Sequence, residues 1–450
     1  MFDNLSGFKN RFYSLIAREI SAWSKYYDSL FQYQPRFHDE GILFERVECQ
    51  NKKLLNADEL LPDLNKKSQK RNVVLLNGNF NHSFDIEALL KDVYKSISRN
   101  DRVVVVTYNP YLGWLFQLAT WFGVRKGPVP STFITVTDLM NLAGLSHFDV
   151  LKINPCGLFP FKLFGLGVKI EGLLKQIPLI RSLAICNILV LRPIKKSEEF
   201  LPTLSILIPA RNEKGNIEDA LKRLPDLNTN LQVIFIEGNS NDGTWEEIQR
   251  VIPLYQRPGL EILSFKQPGR GKNDAVKVGF EKSTMDLVTI LDADLTMPPE
   301  LLGRFYDAYK SGMADFINGS RLVYPMEGEA MRPLNRLGNI FFAKALSTVL
   351  NTRLGDSLCG TKLFALHDYK RFQSWRNDFG NFDPFGDFEL LFPAAILQLG
   401  IVDIPVRYRS RTYGTTNISR FRDGWQLFRM TLVGLLHVRL DLKASSQAQA

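Results

Sequence analysis

Acidic side chains follow three apolar runs in the second half of the chain, where the runs are expected to be strands. Asp292 and Asp294 come directly after one run, Glu237 ends another, and Glu213 follows the third. At the end of a strand the chain turns, so two carboxylates one residue apart can both approach one hard cation through oxygen. Acidic turns are also common as plain surface features. The position of Asp292 and Asp294 after a buried run nevertheless predicts a site for Mg²⁺ or Mn²⁺.

A basic, glycine-bearing loop precedes this acidic pair in the chain. It reads Pro-Gly-Arg-Gly-Lys-Asn-Asp-Ala over residues 268–275 and leads into a helical pattern. Its spacing is not the G-x-x-x-x-G-K-[ST] pattern of a Walker phosphate loop. Backbone amides beside Arg270 and Lys272 could nevertheless hold a pyrophosphate near the metal site. The alternative is an ordinary solvated turn.

The elements that must position these residues alternate between short apolar runs and helical patterns. Helices are expected to begin near Asn216 and at Thr244, which has the spacing of a capping box with Glu247. This alternation predicts an α/β fold with a mostly parallel sheet and helices on both faces, with the ligand beyond the carboxyl ends of the strands. The predicted strands cover residues 204–208, 231–236, 261–265 and 287–291.

The composition is that of a folded, basic protein. Of the 450 residues, 45% are hydrophobic, 12% aromatic and 23% charged, which excludes a disordered chain. No apolar run reaches the roughly 20 residues of a bilayer-spanning helix, so no membrane span is predicted. Four cysteines without a C-x-x-C pair, and no signal-like start, favour the cytoplasm. The formal charge of +9 favours anionic partners, but without zinc-finger spacing or a dense Lys/Arg block nucleic acid is not expected.

Further motifs follow in a fixed order towards the end of the chain. They are Gly319-Ser320-Arg321, the run from Asp356 to Lys362, Asp387-Phe388-Glu389, and Arg409 through Arg411 to Thr416 and Asn417. Together with the acidic strand ends and the basic loop, these motifs resemble family 2 glycosyltransferases of the GT-A fold. The resemblance is closest to the dolichol-phosphate mannose synthase branch, and it covers Thr203 to Arg439.

This resemblance implies a nucleotide-sugar pocket beside the metal site. Asp292 and Asp294 would hold the ion against the donor diphosphate, where it neutralises charge on the leaving group. Glu237 departs from the family, which usually has Asp there, so its alternative is a strand-end carboxylate without ligand contact. The residues expected to bind the nucleotide sugar are Pro209, Ala210, Arg211, Glu213, Glu237, Asp242, Arg270, Lys272 and Asp292.

The resemblance also implies groups for catalysis and for the acceptor. Asp387 and Glu389 are the available bases for a hydroxyl acceptor, or else carboxylates favoured by a helix dipole. A polyprenyl phosphate would need little base catalysis, because its second pKa lies near about 6. The expected catalytic set is Asp294, Arg321, Arg336, Lys362, Asp387 and Glu389, and the expected acceptor-phosphate set is Arg409, Arg411 and Asn417.

The expected reaction is metal-dependent, inverting transfer of a sugar from a UDP- or GDP-linked donor to a polyprenyl phosphate. Two alternatives remain open, which are transfer to a glycan or small-molecule hydroxyl, and a non-catalytic nucleotide-sugar-binding scaffold. Residues 419–443 form a predicted basic amphipathic helix, and the apolar segment Phe159 to Leu179 could add to its membrane affinity. The protein is therefore expected as a peripheral protein at the cytoplasmic, inner face of the membrane.

The first half of the chain resembles the back half of a class I methyltransferase, with strands at 72–76 and 102–106 and a helix at 86–97. S-adenosylmethionine binding in that fold needs a glycine-rich turn after the first strand. Residues 1–71 hold only two separated glycines, so an incomplete Rossmann-like domain without S-adenosylmethionine, serving as a docking or orienting module, is expected. The predicted division is a helical segment 1–71, this domain 72–192, a linker 193–202, a glycosyltransferase domain 203–418, the amphipathic helix 419–443 and a flexible tail 444–450.

Overall fold

The computed structural model divides the chain into two compact units. Lys196–Ala395 and Leu399–Leu435 form the second unit, and the first unit consists of Met1–Lys195 with Ile396–Gln398 and the chain from Leu436 on. The passage from one unit to the other falls inside the range predicted as a linker. The residues described are 2–35, 41–56, 59–64, 70–122, 130–161, 166–196, 201–325, 333–379, 386–411, 413 and 420–439.

One six-stranded sheet forms the centre of the first unit. Its strands are β1 (Ser29–Gln32), β2 (Asn51–Leu54), β3 (Asn72–Asn77), β4 (Arg102–Tyr108), β5 (Phe148–Cys156) and β6 (Cys186–Pro193). Their order is β2-β1-β3-β4-β6-β5, and β6 runs antiparallel to β4 and β5 while the other pairs are parallel. The helices are α1 (Phe2–Ser24), α2 (Ile42–Arg46), α3 (Ile86–Ser96), α4 (Gly113–Trp121), α5 (Val136–Leu145), α6 (Gly167–Leu174) and α7 (Pro178–Arg181).

The sheet of the first unit is covered on both faces. This agrees with the sequences of β3 and β4, which are mostly apolar along their length. Successive residues of a strand point to opposite faces. Val74 and Val103 lie in one apolar cluster with residues of α3 and α5, whereas Val73 and Val104 lie in another with Ile20 of α1.

Residues 1–71 are not only helical, as the sequence analysis predicted, because they also supply two strands. β1 pairs with β3, and β2 pairs with the outer side of β1. All four residues of β2 are exposed and two are lysines, so no apolar pattern marks this strand. Edge strands of this kind are held by backbone pairing, which sequence patterns do not reveal. The elements predicted at 72–76, 86–97 and 102–106 are confirmed, and the resemblance to a methyltransferase stays a prediction.

A seven-stranded, mostly parallel sheet forms the second unit. Its strands are β7 (Leu204–Ala210), β8 (Leu231–Glu237), β9 (Leu260–Lys266), β10 (Leu287–Ile290), β11 (Phe316–Ser320), β12 (Lys362–Ala365) and β13 (Ile401–Pro405). They lie in the order β13-β11-β12-β10-β7-β8-β9, and among the described strands β12 alone runs antiparallel to its neighbours. The helices are α8 (Ile217–Lys222), α9 (Thr244–Tyr255), α10 (Lys272–Lys282), α11 (Leu302–Lys310), α12 (Pro333–Leu350), α13 (Leu366–Phe379), α14 (Asp387–Ile396) and α15 (Arg420–Gly434), the last followed by a π-helical turn (Leu435–Arg439).

Helices pack on both faces of this second sheet. Ile206 of β7 belongs to an apolar cluster with Ile217 of α8 and Ile248 of α9. The next residue, Leu207, lies against Gly279 of α10, where a Cβ would come within 3.0 Å of the leucine side chain. Because neighbouring strand residues face opposite ways, the two sets of helices cover opposite faces. The predicted α/β class with a mostly parallel sheet is confirmed.

The described residues contain no helix that is both long and apolar enough to cross a bilayer. The four cysteines are free.

Asn81 lies in the turn after β3 and forms hydrogen bonds to the end of β4. Its buried side chain donates to the carbonyl of Thr132 (2.9 Å) and accepts the Tyr108 N–H (2.8 Å) and the Thr107 hydroxyl (3.1 Å). Asn81→Ala should lower the free energy of unfolding by about 1–3 kcal/mol, because buried polar groups lose their partners. Thermal and urea unfolding would measure this, with Asn56→Ala at an exposed position as control. Equal stability of the two variants would contradict the assignment.

Candidate active site

The carboxyl edge of the second sheet brings together many of the residues singled out from the sequence. β7, β8, β10 and β11 all end at this edge, and the antiparallel β12 begins there. Three residues close behind strands have a left-handed backbone, namely Asn212 (φ 56°), Asn239 (φ 58°) and Leu295 (φ 50°). Asparagine tolerates this conformation, but leucine adopts it only where its surroundings fix it. The turn after β10 is therefore held in a strained form.

Asp242 organises the turns after β7 and β8. Its carboxylate accepts the backbone N–H groups of Lys214 (3.2 Å) and Thr244 (3.0 Å) and the hydroxyls of Thr244 and Tyr413. Burial alone would raise the pKa of Asp242, but these hydrogen bonds hold the pKa below its usual value. α9 therefore begins at Thr244 with Asp242 as the acceptor, in place of the predicted capping box.

Glu213, in the turn after β7, and Glu237, the last residue of β8, are buried carboxylates. Glu213 accepts a hydrogen bond from Asn216 Nδ2 (2.7 Å) and lies 3.9 Å from the Arg411 guanidinium. Burial raises the pKa of Glu213 to about 7. Glu237 accepts the backbone N–H of Ser240 (2.5 Å), which explains its burial without a ligand. Its ribose contact stays a prediction.

The turn after β10, residues 291–295, carries the predicted metal site and is called the metal turn below. Its Asp292 forms an ion pair with Lys272, with 2.5 Å between Oδ1 and Nζ. Gly360 lies directly against both groups, and a Cβ at this position would overlap the carboxylate and the ammonium. Burial alone would raise the pKa of Asp292, but Lys272, Lys362 and Arg321 hold it below its usual value. Three cations therefore act on this one carboxylate.

Asp294 supplies the second carboxylate of the same turn and is buried. Its Oδ1 accepts the Thr296 N–H (3.1 Å) and hydroxyl (2.8 Å), and its Oδ2 lies 2.7 Å from Arg411 Nη2. Arg411, expected to bind the acceptor phosphate, is thus brought to the metal turn, where it lies between Asp294 and Glu213.

The donor set of Asp292 and Asp294 fits a hard divalent cation. Proteins bind Mg²⁺ through one or two carboxylates, with the remaining ligands from substrate phosphates and water. Within the described ranges, no group of three or more His, Cys, Asp or Glu side chains could hold a metal ion. Asp292 and Asp294 would therefore hold the ion together with oxygens of a bound diphosphate.

The basic loop before α10 is fixed by its own hydrogen bonds. Asp274 accepts the Gly269 N–H (2.9 Å), and Gln267 Nε2 donates to the Gly269 carbonyl (3.0 Å). These bonds place Lys272 at the first position of α10, facing Asp292. Arg270 is exposed in the loop. Only the lysine of this predicted phosphate-binding pair is thus seen in contact with the metal turn.

Two buried ion pairs flank the metal turn. Arg321 binds Asp356 through Nε (2.7 Å) and Nη2 (2.9 Å). Lys362 is fully buried and lies 2.6 Å from Asp387. Buried charges of this kind are tolerated when each has a partner in good geometry. Both cations act electrostatically on Asp292, which places the predicted catalytic residues Arg321, Lys362 and Asp387 in one charged network.

Two predicted catalytic residues are not joined to this network by the described contacts. Glu389 is buried with its carboxylate 3.3 Å from Lys277 and 3.1 Å from Arg376. Glu389 is therefore ion-paired within this part of the second unit, and its role as a base stays a prediction. Arg336 is exposed on α12. Because several residues around it are apolar, the sequence did not show which side of the helix it occupies.

The remaining predicted residues lie along the same edge or outside the described ranges. Pro209 and Ala210 end β7, and Arg211 follows them with an exposed side chain. Arg409 is exposed and donates its backbone N–H to the Thr296 carbonyl (2.9 Å). Asn417 lies outside the described residues. Their roles in donor and acceptor binding stay predictions.

Asp356 and Tyr413 are site residues that the sequence analysis did not assign. Asp356 lies in a quoted motif, and a buried arginine such as Arg321 requires an acidic partner, so a signal was present. Tyr413 packs its ring on Gly215 and donates its hydroxyl to Asp242, 171 residues earlier in the chain. No local pattern could have revealed that contact.

The segment that carries most of this site matches a known family. Residues 205–370 match the family model described as glycosyl transferase family 2. The second unit therefore contains a family 2 glycosyltransferase domain, as its motifs predicted.

Individual relatives extend this match. The low-salt glycan biosynthesis hexosyltransferase Agl6 of Haloferax volcanii is 26% identical over 241 residues, which cover 52% of this chain and 54% of that protein. The dolichyl-phosphate hexose transferase of the same organism is 26% identical over 245 residues, covering 53% of this chain and 96% of that protein. The dolichol-phosphate mannosyltransferase of Pyrococcus furiosus is 33% identical over 122 residues, covering 27% and 33%. The chain thus spans about half of Agl6 and one third of the Pyrococcus protein.

One solved structure similar to this chain is the mannosyltransferase PcManGT from Pyrobaculum calidifontis in complex with GDP-Man and Mn²⁺. It aligns with a TM-score of 0.37 and 17% identity, covering 55% of this chain and 72% of that one.

Glu213 makes the stability of the second unit depend on pH. Its folded pKa of about 7 exceeds its ordinary value of 4.5, so the folded state binds this proton more tightly than the unfolded chain. The stabilisation is complete below about pH 4.5 and is lost as the pH rises to about 7. Melting temperatures across this window should fall less steeply for Glu213→Gln than for the unaltered protein, while exposed Glu246→Gln should change nothing. Identical profiles for all three proteins would refute the raised pKa.

Proposed function

We propose that the second unit transfers a sugar, with inversion and with Mg²⁺ or Mn²⁺ bound, from a UDP- or GDP-linked donor to a polyprenyl phosphate. The observation that carries this proposal is the carboxylate pair Asp292 and Asp294 on one turn of a family 2 domain, surrounded by cations. A phosphate-bearing lipid acceptor is supported by the names of two relatives, the dolichyl-phosphate hexose transferase and the dolichol-phosphate mannosyltransferase.

The main chemical task in this reaction is to bring two anions together. The donor diphosphate and the acceptor phosphate repel each other, so the site must supply fixed positive charge. Lys272, Arg321, Lys362 and Arg411 supply it around the metal turn. A phosphate monoester is largely ionised near neutral pH, so its oxygen can attack the anomeric carbon without a protein base. A divalent cation held by Asp292 and Asp294 would add positive charge opposite the leaving diphosphate.

Transfer to a hydroxyl is the alternative, and it needs a base. Asp387 and Glu389 are the candidates, but the Asp387 carboxylate lies 2.6 Å from the buried Lys362 ammonium, and that of Glu389 lies 3.1 Å from Arg376. To accept a proton, Asp387 would have to give up much of this ion pair. This observation favours the phosphate acceptor. A non-catalytic scaffold is the third reading, and the activity assay below separates it from both enzymes.

α15 offers the second unit a surface for membrane contact. Leu427 and Met430 are buried, whereas Trp425 (67% exposed), Phe428 and Arg429 point to solvent. The Trp425 and Phe428 rings stack with centroids 5.8 Å apart. Exposed aromatic rings beside a basic residue are typical of helices that lie in the membrane interface. This feature supports the proposed peripheral location at the inner face of the membrane, where a lipid acceptor resides.

Asp294→Asn tests the metal-dependent reaction. The amide keeps the shape of the side chain but loses the charge that would hold the ion, so nucleotide-diphosphate release should fall by about 100-fold or more. Release is measured with Mn²⁺ over a panel of UDP- and GDP-sugars, with and without a short polyprenyl phosphate. Asp307→Asn, on the exposed side of α11, is the control. Full activity of Asp294→Asn would exclude the assigned metal site, and no release by the unaltered protein would favour the scaffold.

Trp425→Glu/Phe428→Glu tests the role of α15. Two buried carboxylates at a membrane interface are unfavourable, so activity on a long polyprenyl phosphate in vesicles should drop about tenfold. Activity on a short, water-soluble polyprenyl phosphate should stay unchanged, because the variant alters no residue of the site. A parallel loss with both acceptors would mean that α15 supports folding and not membrane contact.

A further inference from the structure

α4 of the first unit is an apolar helix without a core to cover it. Residues 109–122 contain no charged side chain, and no residue of α4 is buried. Trp114 is 60% exposed, Trp121 78% and Phe122 68%. The helix is held to the sheet by Phe116, whose ring stacks on Tyr108 at 4.4 Å. The polar side chains of α4 are Gln117 and Thr120, and the helix carries no charge. Large apolar side chains such as its tryptophans are normally covered by a protein core or by lipid, so those of α4 lack their expected surroundings.

A second apolar segment lies beside α4. Asn109 Nδ2 donates to the carbonyls of Ser182 (2.7 Å) and Ala184 (2.6 Å), which ties the start of the α4 region to the end of residues 166–183. Both segments follow the carboxyl ends of parallel strands, β4 and β5, so they share one edge of the sheet. The large exposed apolar residues of this second segment are Leu166, Leu173, Ile177, Leu179 and Leu183.

The exposed charges within these two segments are positive. Lys169 and Arg181 are exposed. The single acid in the two segments, Glu171, is buried, where it accepts the backbone N–H of Gly157 (2.9 Å) and lies 3.6 Å from Lys175. A face that combines apolar residues, aromatic rings and positive charge without exposed acids complements an anionic lipid surface.

We infer that residues 109–122 and 166–183 form an interfacial face with which the first unit lies on an anionic phospholipid bilayer. The face inserts its apolar residues to the depth of the headgroups and does not cross the bilayer, since α4 has nine residues and a crossing helix needs roughly 20. Trp114 and Trp121 suit this depth because tryptophan concentrates at the boundary of membrane and water. Lys169 and Arg181 remain in contact with lipid phosphates.

This inference does not depend on glycosyl transfer. The interfacial face uses residues of the first unit, whereas the proposed reaction uses residues of the second. A failure of either proposal therefore leaves the other standing, and their experiments have different readouts.

Vesicle flotation of the full chain tests the interfacial face. All proteins carry Trp425→Glu/Phe428→Glu, so that α15 does not contribute to binding. In this background the protein should float with vesicles of phosphatidylcholine and phosphatidylglycerol, and less with phosphatidylcholine alone. Leu173→Glu/Leu179→Glu should weaken binding to the anionic vesicles by about tenfold or more, because two charges enter the apolar layer.

The matched control is Leu60→Glu/Leu145→Glu, which makes the same two substitutions at leucines that are also exposed. Leu145 ends α5 just before β5 begins, at the opposite edge of the sheet from the interfacial face. The control should bind vesicles like its parent, and circular dichroism should show that both variants remain folded. Equal flotation of the two variants, or no flotation of their parent, would overturn the inference.

Tryptophan fluorescence gives a second, independent readout. Brominated lipids quench tryptophans that enter the acyl boundary, so vesicles should quench the parent protein, and Trp114→Phe/Trp121→Phe should remove most of that quenching. Quenching that persists unchanged in this variant would contradict insertion of α4. Light scattering tests the other occupant, a second copy of the chain. A dimer that forms without lipid and is lost in Leu173→Glu/Leu179→Glu would assign the face to self-association instead.

Discussion

The arrangement of the candidate site in the second unit depends on the pairing of opposite charges at one edge of its sheet. Parallel strands end together, so the acidic turns after β7, β8 and β10 meet at the carboxyl edge. Isolated buried carboxylates would be costly there, and each one described has a partner. Lys272 faces Asp292, Arg411 faces Asp294, Arg321 faces Asp356 and Lys362 faces Asp387. The fold can keep so many charges together only because they alternate in sign.

This balance also determines what the edge can bind. These four cations are already paired with carboxylates, so in the proposed reaction a diphosphate would have to compete with carboxylates for the same positive groups. A divalent ion on Asp292 and Asp294 would neutralise those carboxylates and leave Lys272 and Arg411 to the phosphates. The turn that carries Asp292 and Asp294 continues through Leu295, which has a left-handed backbone (φ 50°). Positioning by a rigid turn is what a reaction between two anions requires.

The sequence predicted β7, β8, β9 and β10 of the second sheet, because these strands are apolar runs followed by turn residues, but it did not predict β11, β12 and β13. It placed Glu213, Glu237, Asp292 and Asp294 at one edge because parallel topology makes strand ends converge, whereas Lys272 was suggested by the basic loop and Lys362 by the family resemblance. It missed β1 and β2, which have only four residues each and carry no clear periodic signal. Spacing also could not show that Lys277 and Arg376 reach Glu389 from other helices. Long-range partners such as Tyr413 and Asp242 are likewise invisible to local patterns.

Packing explains the buried apolar residues of this protein, but it does not explain all of the exposed ones. In α15, Leu427 and Met430 are buried while Trp425 is exposed, so the helix has an inner and an outer side. In α4 no residue is buried, and the sheet below is sealed without it by residues of α3 and α5. Packing therefore explains why α15 is amphipathic, but it does not explain why α4 exposes two tryptophans and carries no charged side chain. The two exposed tryptophans of α4 lie outside the core and so contribute little to the stability of the fold. Exposed apolar surface of this kind also promotes aggregation. Contact with lipid removes that liability, because the same side chains then leave water.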